Sequence, residues 1–139
     1  GRPGTSHALQ VAARLGLPPE LAPLRILVSS GRVRPDLGSA ADTRLPDEAV
    51  DRVVSVNNVS FWGDIPAGLA ELRRVLRPGG TLVVAFHSRQ APSRLTRRLA
   101  LPEPTATYLE TAMRDLFGAV VRHELVHLTA FAGRRLPDD

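Results

Sequence analysis

The sequence predicts an α/β fold, a mostly parallel sheet flanked by helices with an antiparallel strand at its carboxyl end. Three observations carry this. Residues 50–56 (VDRVVSV) are an apolar, β-branched run of the kind that forms a buried parallel strand. Residues 65–76 (IPAGLAELRRVL) place Leu69, Leu72, Val75 and Leu76 on one helical stripe. Residues 81–86 (TLVVAF) form a second apolar run, and Pro78-Gly79-Gly80 ahead of it stops the helix and turns the chain. Strand, helix, tight turn and strand together read as a right-handed βαβ unit.

The flanking elements follow in order. Residues 5–15 (TSHALQVAARL) read as a helix capped by Thr5 or Ser6 and stopped at Gly16 and Pro18-Pro19. Residues 24–28 (LRILV) read as a strand closed by Ser29-Ser30-Gly31. Residues 32–37 read as a short strand, which Pro35 restricts to an edge or a bulge. In the central unit Pro66 suits a first helical turn, while Arg73, Arg74 and Arg77 stand near the negative end of the helix dipole. Residues 88–104 are rich in Arg and Pro and read as a loop or short helix. Residues 105–117 form another amphipathic helix ended by Gly118, and residues 119–135 form one or two strands.

A chain of 139 residues holds one domain with a real core. Its 43% hydrophobic and 23% charged residues are ordinary for a globular protein. No apolar run approaches the roughly 18 to 20 residues of a membrane span, so no membrane partner is expected. Without cysteine there is neither disulfide nor thiolate metal site, and a cytoplasmic setting is the default expectation. All 18 basic residues are Arg, and the net charge is +4. These Arg residues are scattered and aromatics are few, so a nucleic-acid partner is not expected.

Leu37 to Phe86 (LGSAADTRLPDEAVDRVVSVNNVSFWGDIPAGLAELRRVLRPGGTLVVAF) carries a family signal. It is similar to the back half of class I S-adenosylmethionine-dependent methyltransferases of the small bacterial type-11 group. The shared points come in order: an acidic residue ahead of "LP", strand four, "ELRRVLRPGG" and strand five. The resemblance implies a Rossmann-like methyltransferase fold with S-adenosyl-L-methionine as cofactor and a small-molecule methyl acceptor. It places Asp42 where a carboxylate accepts a hydrogen bond from the exocyclic amine of adenine, with Ala40 and Ala41 beside it. Asp42 also reads as a plain turn residue before Leu45-Pro46. The resemblance brings Asn57 and Asn58 against the methionine part of the cofactor, although Asn at a strand end is also a good turn former. Phe61 and Trp62 line the acceptor mouth or pack under the following helix. Glu71, Arg73, Arg74, Pro78, Gly79 and Gly80 match the family most visibly and read as structural. His87, just past strand five, is the best-placed candidate for a general base; it also reads as an ordinary loop residue.

The chain departs from this pattern at its start. The family's Gly-rich turn after strand one lets backbone approach the cofactor. Here the chain opens GRPGTS, without Met, which reads as an amino-terminally incomplete or degenerate form. Gly1 and Gly4 carry over as cofactor contacts, while Arg2 falls where a glycine is expected. Strand one would lie before Gly1. Residues 5–41 are 37 positions, where two helices, two strands and their loops need roughly 45. No acidic residue ends LRILV; Ser29 and Ser30 stand there. An exposed edge at the place of strand one favours pairing with a second copy, a homodimer.

Residues 123–127 (HELVH) are a literal H-E-x-x-H, the zinc-peptidase motif when it lies on a helix. The β-branched, alternating segment around it predicts a strand instead. There His123 and His127 stand about 13 Å apart, too far to share a metal, and no metal site is assigned. The functional expectation is therefore methyl transfer from S-adenosyl-L-methionine to a small molecule, by a single domain over 1–139. Residues 1–44 form its irregular cofactor half, 45–87 its strand–helix–strand core, and 88–139 its substrate-side helix and terminal strands. An inactive methyltransferase-like interaction or dimerisation module is the alternative, and a zinc metallopeptidase fragment a further one.

Overall fold

The computed structural model describes residues 29–88, 90, 93–95 and 100–138. The chain divides into two compact units, Gly1–Gly38 and Ser39–Asp139. In the first, residues 32–37 run without strand pairing, against the short strand expected there. Pro35 offers no N–H for a ladder, and Arg34 pairs instead with Asp36 at 2.8 Å. The helix expected over 5–15 and the strand over 24–28 lie outside the described residues.

The second unit runs β1 (Val50–Val56), a 3-10 turn (Val59–Phe61), α1 (Ile65–Val75), β2 (Leu76–His87), α2 (Glu103–Leu116), β3 (Gly118–Glu124) and β4 (Leu128–Arg134). Its sheet has the order β1-β2-β4-β3. β1 and β2 pair in parallel, as a strand–helix–strand unit requires, and the remaining pairs are antiparallel.

β2 is central and its alternation builds the core. Leu82, Val84 and Phe86 share one face with Phe131 of β4, and all are buried. The stripe Leu69, Leu72 and Val75 of α1 and the stripe Ala106, Leu109 and Met113 of α2 belong to the same buried side of the unit. A fully buried Leu or Phe of this set contributes about 2 kcal/mol relative to exposure. β1 differs from expectation, because none of its residues is buried. Among the described residues it pairs on one side only, with β2. Val53 and Ser55 follow the core face of Leu82 and Val84, whereas Val54 and Val56 lie on the opposite face, 65% and 55% exposed.

Helix ends explain two further differences. α1 starts where expected: Asp64 accepts the Ala67 N–H at 3.0 Å and Pro66 sits in the first turn. It ends at Val75, and β2 begins at once with Leu76. Pro78-Gly79-Gly80 is therefore not a turn ahead of a strand at residue 81 but a bulge within β2. The register passes from Val50↔Leu76 to Arg52↔Thr81, so the extra residues of β2 loop out where Pro cannot join a ladder. Gly79 takes φ +85, which only glycine adopts without strain. α2 starts two residues earlier than expected, with Pro102 as its N-cap and Glu103 in its first turn. Residues 118–134 supply both strands of an antiparallel hairpin.

Arg135 locks these pieces together. It is buried, and its guanidinium donates to the carbonyls of Arg73 at 2.9 Å and Leu76 at 2.6 Å. A cation thus satisfies carbonyls that the last turn of α1 leaves open. Asp138 pairs with both Arg135 and Arg73, tying the carboxyl-terminal segment to the same corner.

Candidate functional site

In open α/β sheets ligands bind at the carboxyl ends of the parallel strands. Here those ends are Val56 and His87, with Asn57 and Asn58 immediately after β1. Asn57 sits at φ 53, a left-handed conformation that Asn tolerates better than most residues. Its backbone N–H still reaches Ala85 O at 2.8 Å, extending the β1–β2 ladder. Its side chain spans to β2: Oδ1 accepts the His87 N–H at 3.0 Å, and Nδ2 lies 3.2 Å from His87 Nε2. Asn58 Oδ1 accepts the Trp62 indole N–H at 2.9 Å. Trp62 lies on α1 at Gly68, where an added Cβ would stand 2.8 Å from its ring, so Trp62 is a packing residue. Phe61 beside it is 73% exposed.

Ala41 and Asp42 lie in a tight turn closed by reciprocal bonds, Ser39 N–H to Asp42 O at 3.0 Å and Asp42 N–H to Ser39 O at 3.1 Å. Ser39 Oγ also accepts the Asp42 N–H, at 3.1 Å. Ala40 of this turn touches α1 at Gly68, near the amino end of the helix. That end lies beside the carboxyl end of β1, so the turn stands on the ligand side of the sheet. The Asp42 carboxylate is exposed and has no protein partner among the described residues. A carboxylate held on a fixed turn and left unpaired is an acceptor for a ligand amine.

What fixes the turn was not legible in the sequence. Glu71 of α1 accepts from both the backbone N–H and the hydroxyl of Thr43, each at 2.8 Å. Arg74 bonds Glu71 at 2.7 Å, the Leu45 carbonyl at 2.7 Å and Asp47 at 2.5 Å, and its own carbonyl accepts the Glu48 N–H at 2.9 Å. The Arg74 guanidinium holds the Glu71 carboxyl down at about 2, with the Thr43 bonds acting in the same direction and partial burial opposing them. In return the bonded Glu71 raises the Arg74 pKa, so the pair stays charged. The segment they hold contains two non-glycine residues at positive φ, Arg44 and Glu48. Such positions cost roughly 1–2 kcal/mol each and persist where the surroundings enforce them. The Glu and Arg of "ELRR" thus do more than set a helix face: they clamp the loop that begins at Asp42. The i,i+3 spacing of Glu71 and Arg74 was the visible signal; the reach to Thr43, Leu45 and Asp47 was not.

Beyond His87 lies a cavity of about 390 Å³ whose walls include Phe86, His87, Glu103, Arg122, Glu124 and Thr129. Arg122 bonds Glu103 at 3.1 Å and pairs with Glu124 at 2.9 Å, and its guanidinium stands 5.4 Å from the Phe131 ring centre. The Glu103 bond, then the charges of Glu124 and Glu110, keep it above the ordinary arginine range. HELVH crosses the end of β3 and the hairpin loop, so its histidines lack the one-turn helical spacing that the zinc motif requires. Among the described residues no His, Cys, Asp or Glu group is arranged to hold a metal. Gly1 and Gly4 lie outside the described residues.

Comparison with known proteins gives this geometry a family. A family model described as a methyltransferase domain matches residues 9–84. Uncharacterized methyltransferase YdaC of Bacillus subtilis (strain 168) is 32% identical over 82 residues, 59% of this chain and 41% of that protein. The chain therefore spans about two fifths of that relative's length. A SAM-dependent methyltransferase from Aquifex aeolicus shares the fold with a TM-score of 0.61 at 14% identity, covering 95% of this chain and 63% of the other. The [4+2]-cyclase SpnF shares it with a TM-score of 0.63 at 16% identity, covering 96% and 64%. A cyclase on this fold shows that the fold alone does not name a reaction.

Proposed function

Because the chain belongs to the methyltransferase-domain family of S-adenosylmethionine-dependent enzymes, we propose that it binds S-adenosyl-L-methionine and transfers its methyl group to a small-molecule acceptor. The observation that carries this reading is the unpaired Asp42 carboxylate on a turn clamped by Glu71 and Arg74. Asp42 is assigned to the adenine amine and Ala41 to the adjoining face of the base. The Asn57-Asn58 segment, at the end of β1, is assigned to the methionine part, and Gly1 and Gly4 to the backbone approach. The cofactor brings an electrophilic methyl on a sulfonium. The protein's part is to align the acceptor and exclude water, since this chemistry depends on positioning more than on acid or base groups. The cavity beside His87 is assigned to the acceptor. The family model runs across the boundary at residue 38, which supports treating both compact units as one domain.

Isothermal titration with S-adenosylhomocysteine tests the reading. Saturable binding is expected, weakened about tenfold by Asp42→Ala, the equivalent of one hydrogen bond of about 1.4 kcal/mol. No heat at millimolar ligand would remove it.

One observation favours a second reading, an inactive module that dimerises: Val54 and Val56 leave an apolar strip on β1, an edge strand among the described residues. It predicts a concentration-dependent dimer by sedimentation and no cofactor binding.

A further inference from the structure

Asn57 and His87 are joined by two bonds whose directions are mutually constrained. The His87 backbone N–H can only donate, so the Asn57 atom that receives it is Oδ1. That assignment leaves Nδ2, a donor only, facing His87 Nε2 at 3.2 Å. Nε2 must then accept, and the proton of the neutral ring resides on Nδ1. Nδ1 makes no hydrogen bond among the described residues, and His87 is half-buried at the carboxyl end of β2.

We propose that Asn57 is a positioning residue that holds His87 as an Nδ1–H hydrogen-bond donor at the carboxyl end of β2, which suits a ligand presenting a carbonyl or carboxylate oxygen. His87 is then not the general base that its place after β2 invites. Its basic lone pair is spent on Asn57 Nδ2, and freeing it means breaking that bond. Of the acidic groups in the cavity wall, Glu103 and Glu124 are both turned to Arg122. The inference rests on the methyltransferase reading only for the identity of the ligand; the ring's proton can be located without cofactor.

The test is nitrogen-15 spectroscopy of the imidazoles in the full chain at about pH 8.5, above the ordinary histidine range. The His87 signals are assigned by their loss in His87→Gln. The wild type is expected to show the proton on Nδ1. Asn57→Asp keeps an oxygen for the His87 backbone N–H but replaces the donor at Nε2 by an acceptor, so the ring proton is expected to move to Nε2. Asn57→Ala is expected to give a mixture of the two forms. A wild-type ring carrying its proton on Nε2 would overturn the proposal, as would a tautomer unchanged by Asn57→Asp in a folded protein. The wild-type result decides the matter even if a variant fails to fold. Loss of cofactor binding with an Nδ1–H ring would instead strike the functional reading and leave this one standing.

Discussion

Thr43 and Glu71 are joined by two hydrogen bonds of 2.8 Å that end on one carboxylate oxygen, Glu71 Oε2. A helix residue from the most recognisable stretch of the chain thereby holds the loop that follows Asp42. Bonds to a charged, mostly buried acceptor are worth about 1.5–3 kcal/mol in total effect on removal. Glu71→Ala is expected to lower the melting temperature by about 5–10 °C. The same variant should weaken S-adenosylhomocysteine binding, although Glu71 is not assigned a contact with it. Calorimetry and titration on one sample check both.

The same pair sets a pH dependence. Glu71 has its folded pKa lowered to about 2 from an ordinary 4.5. A depressed carboxyl stabilises the folded state above its unfolded pKa and loses that contribution as pH falls toward the folded value. The stability gap between wild type and Glu71→Gln should therefore be full above about pH 5 and shrink between 4.5 and 2. Asp138, lowered by Arg73 and then Arg135, acts with the same sign. Chemical denaturation of both proteins across that range measures the gap; a gap that is constant or widens on acidification contradicts the assignment.

Arg135 is expected to resist conservative replacement. Its planar guanidinium reaches the Arg73 and Leu76 carbonyls and Asp138 together, which a single ammonium cannot match. Arg135→Lys and Arg135→Met should each cost about 2–3 kcal/mol. Urea unfolding would show Lys recovering little of the loss.

Gly68 gives an optical test of the loop's seat. A Cβ there meets the Trp62 ring at 2.8 Å and Ala40 at 3.3 Å. Gly68→Ala should push the indole outward, break its bond to Asn58 and cost about 1–3 kcal/mol. Trp62 is the chain's single tryptophan, so its emission should shift to the red without any label. Unchanged emission would mean that the Trp62 ring does not rest on Gly68.

The βαβ unit was legible because its signals are local. Val50–Val56 and Leu82–Phe86 are runs too apolar to be loops, and Leu69, Leu72 and Val75 repeat at helical spacing. The burial of β1 is not legible because a strand's neighbours are not written in the strand; its composition suits the middle of a sheet, and among the described residues it is an edge. Pro78-Gly79-Gly80 misled for a related reason, since the same residues that make turns also make bulges. At the candidate site the positions of Asp42, Asn57 and His87 came from pattern. The clamp of Glu71 on Thr43 and the pairing of Asn57 with His87 did not, because both depend on contacts between residues 28 and 30 apart.

The most direct test of the central claim is amide mapping of bound S-adenosylhomocysteine by nitrogen–proton correlation spectra. Shifts are expected to concentrate at Ser39–Thr43 and at Asn57-Asn58, with Asp42→Ala reducing the first set. Binding that leaves both segments unmoved and shifts only the walls of the cavity around Glu103 and Arg122 would contradict it.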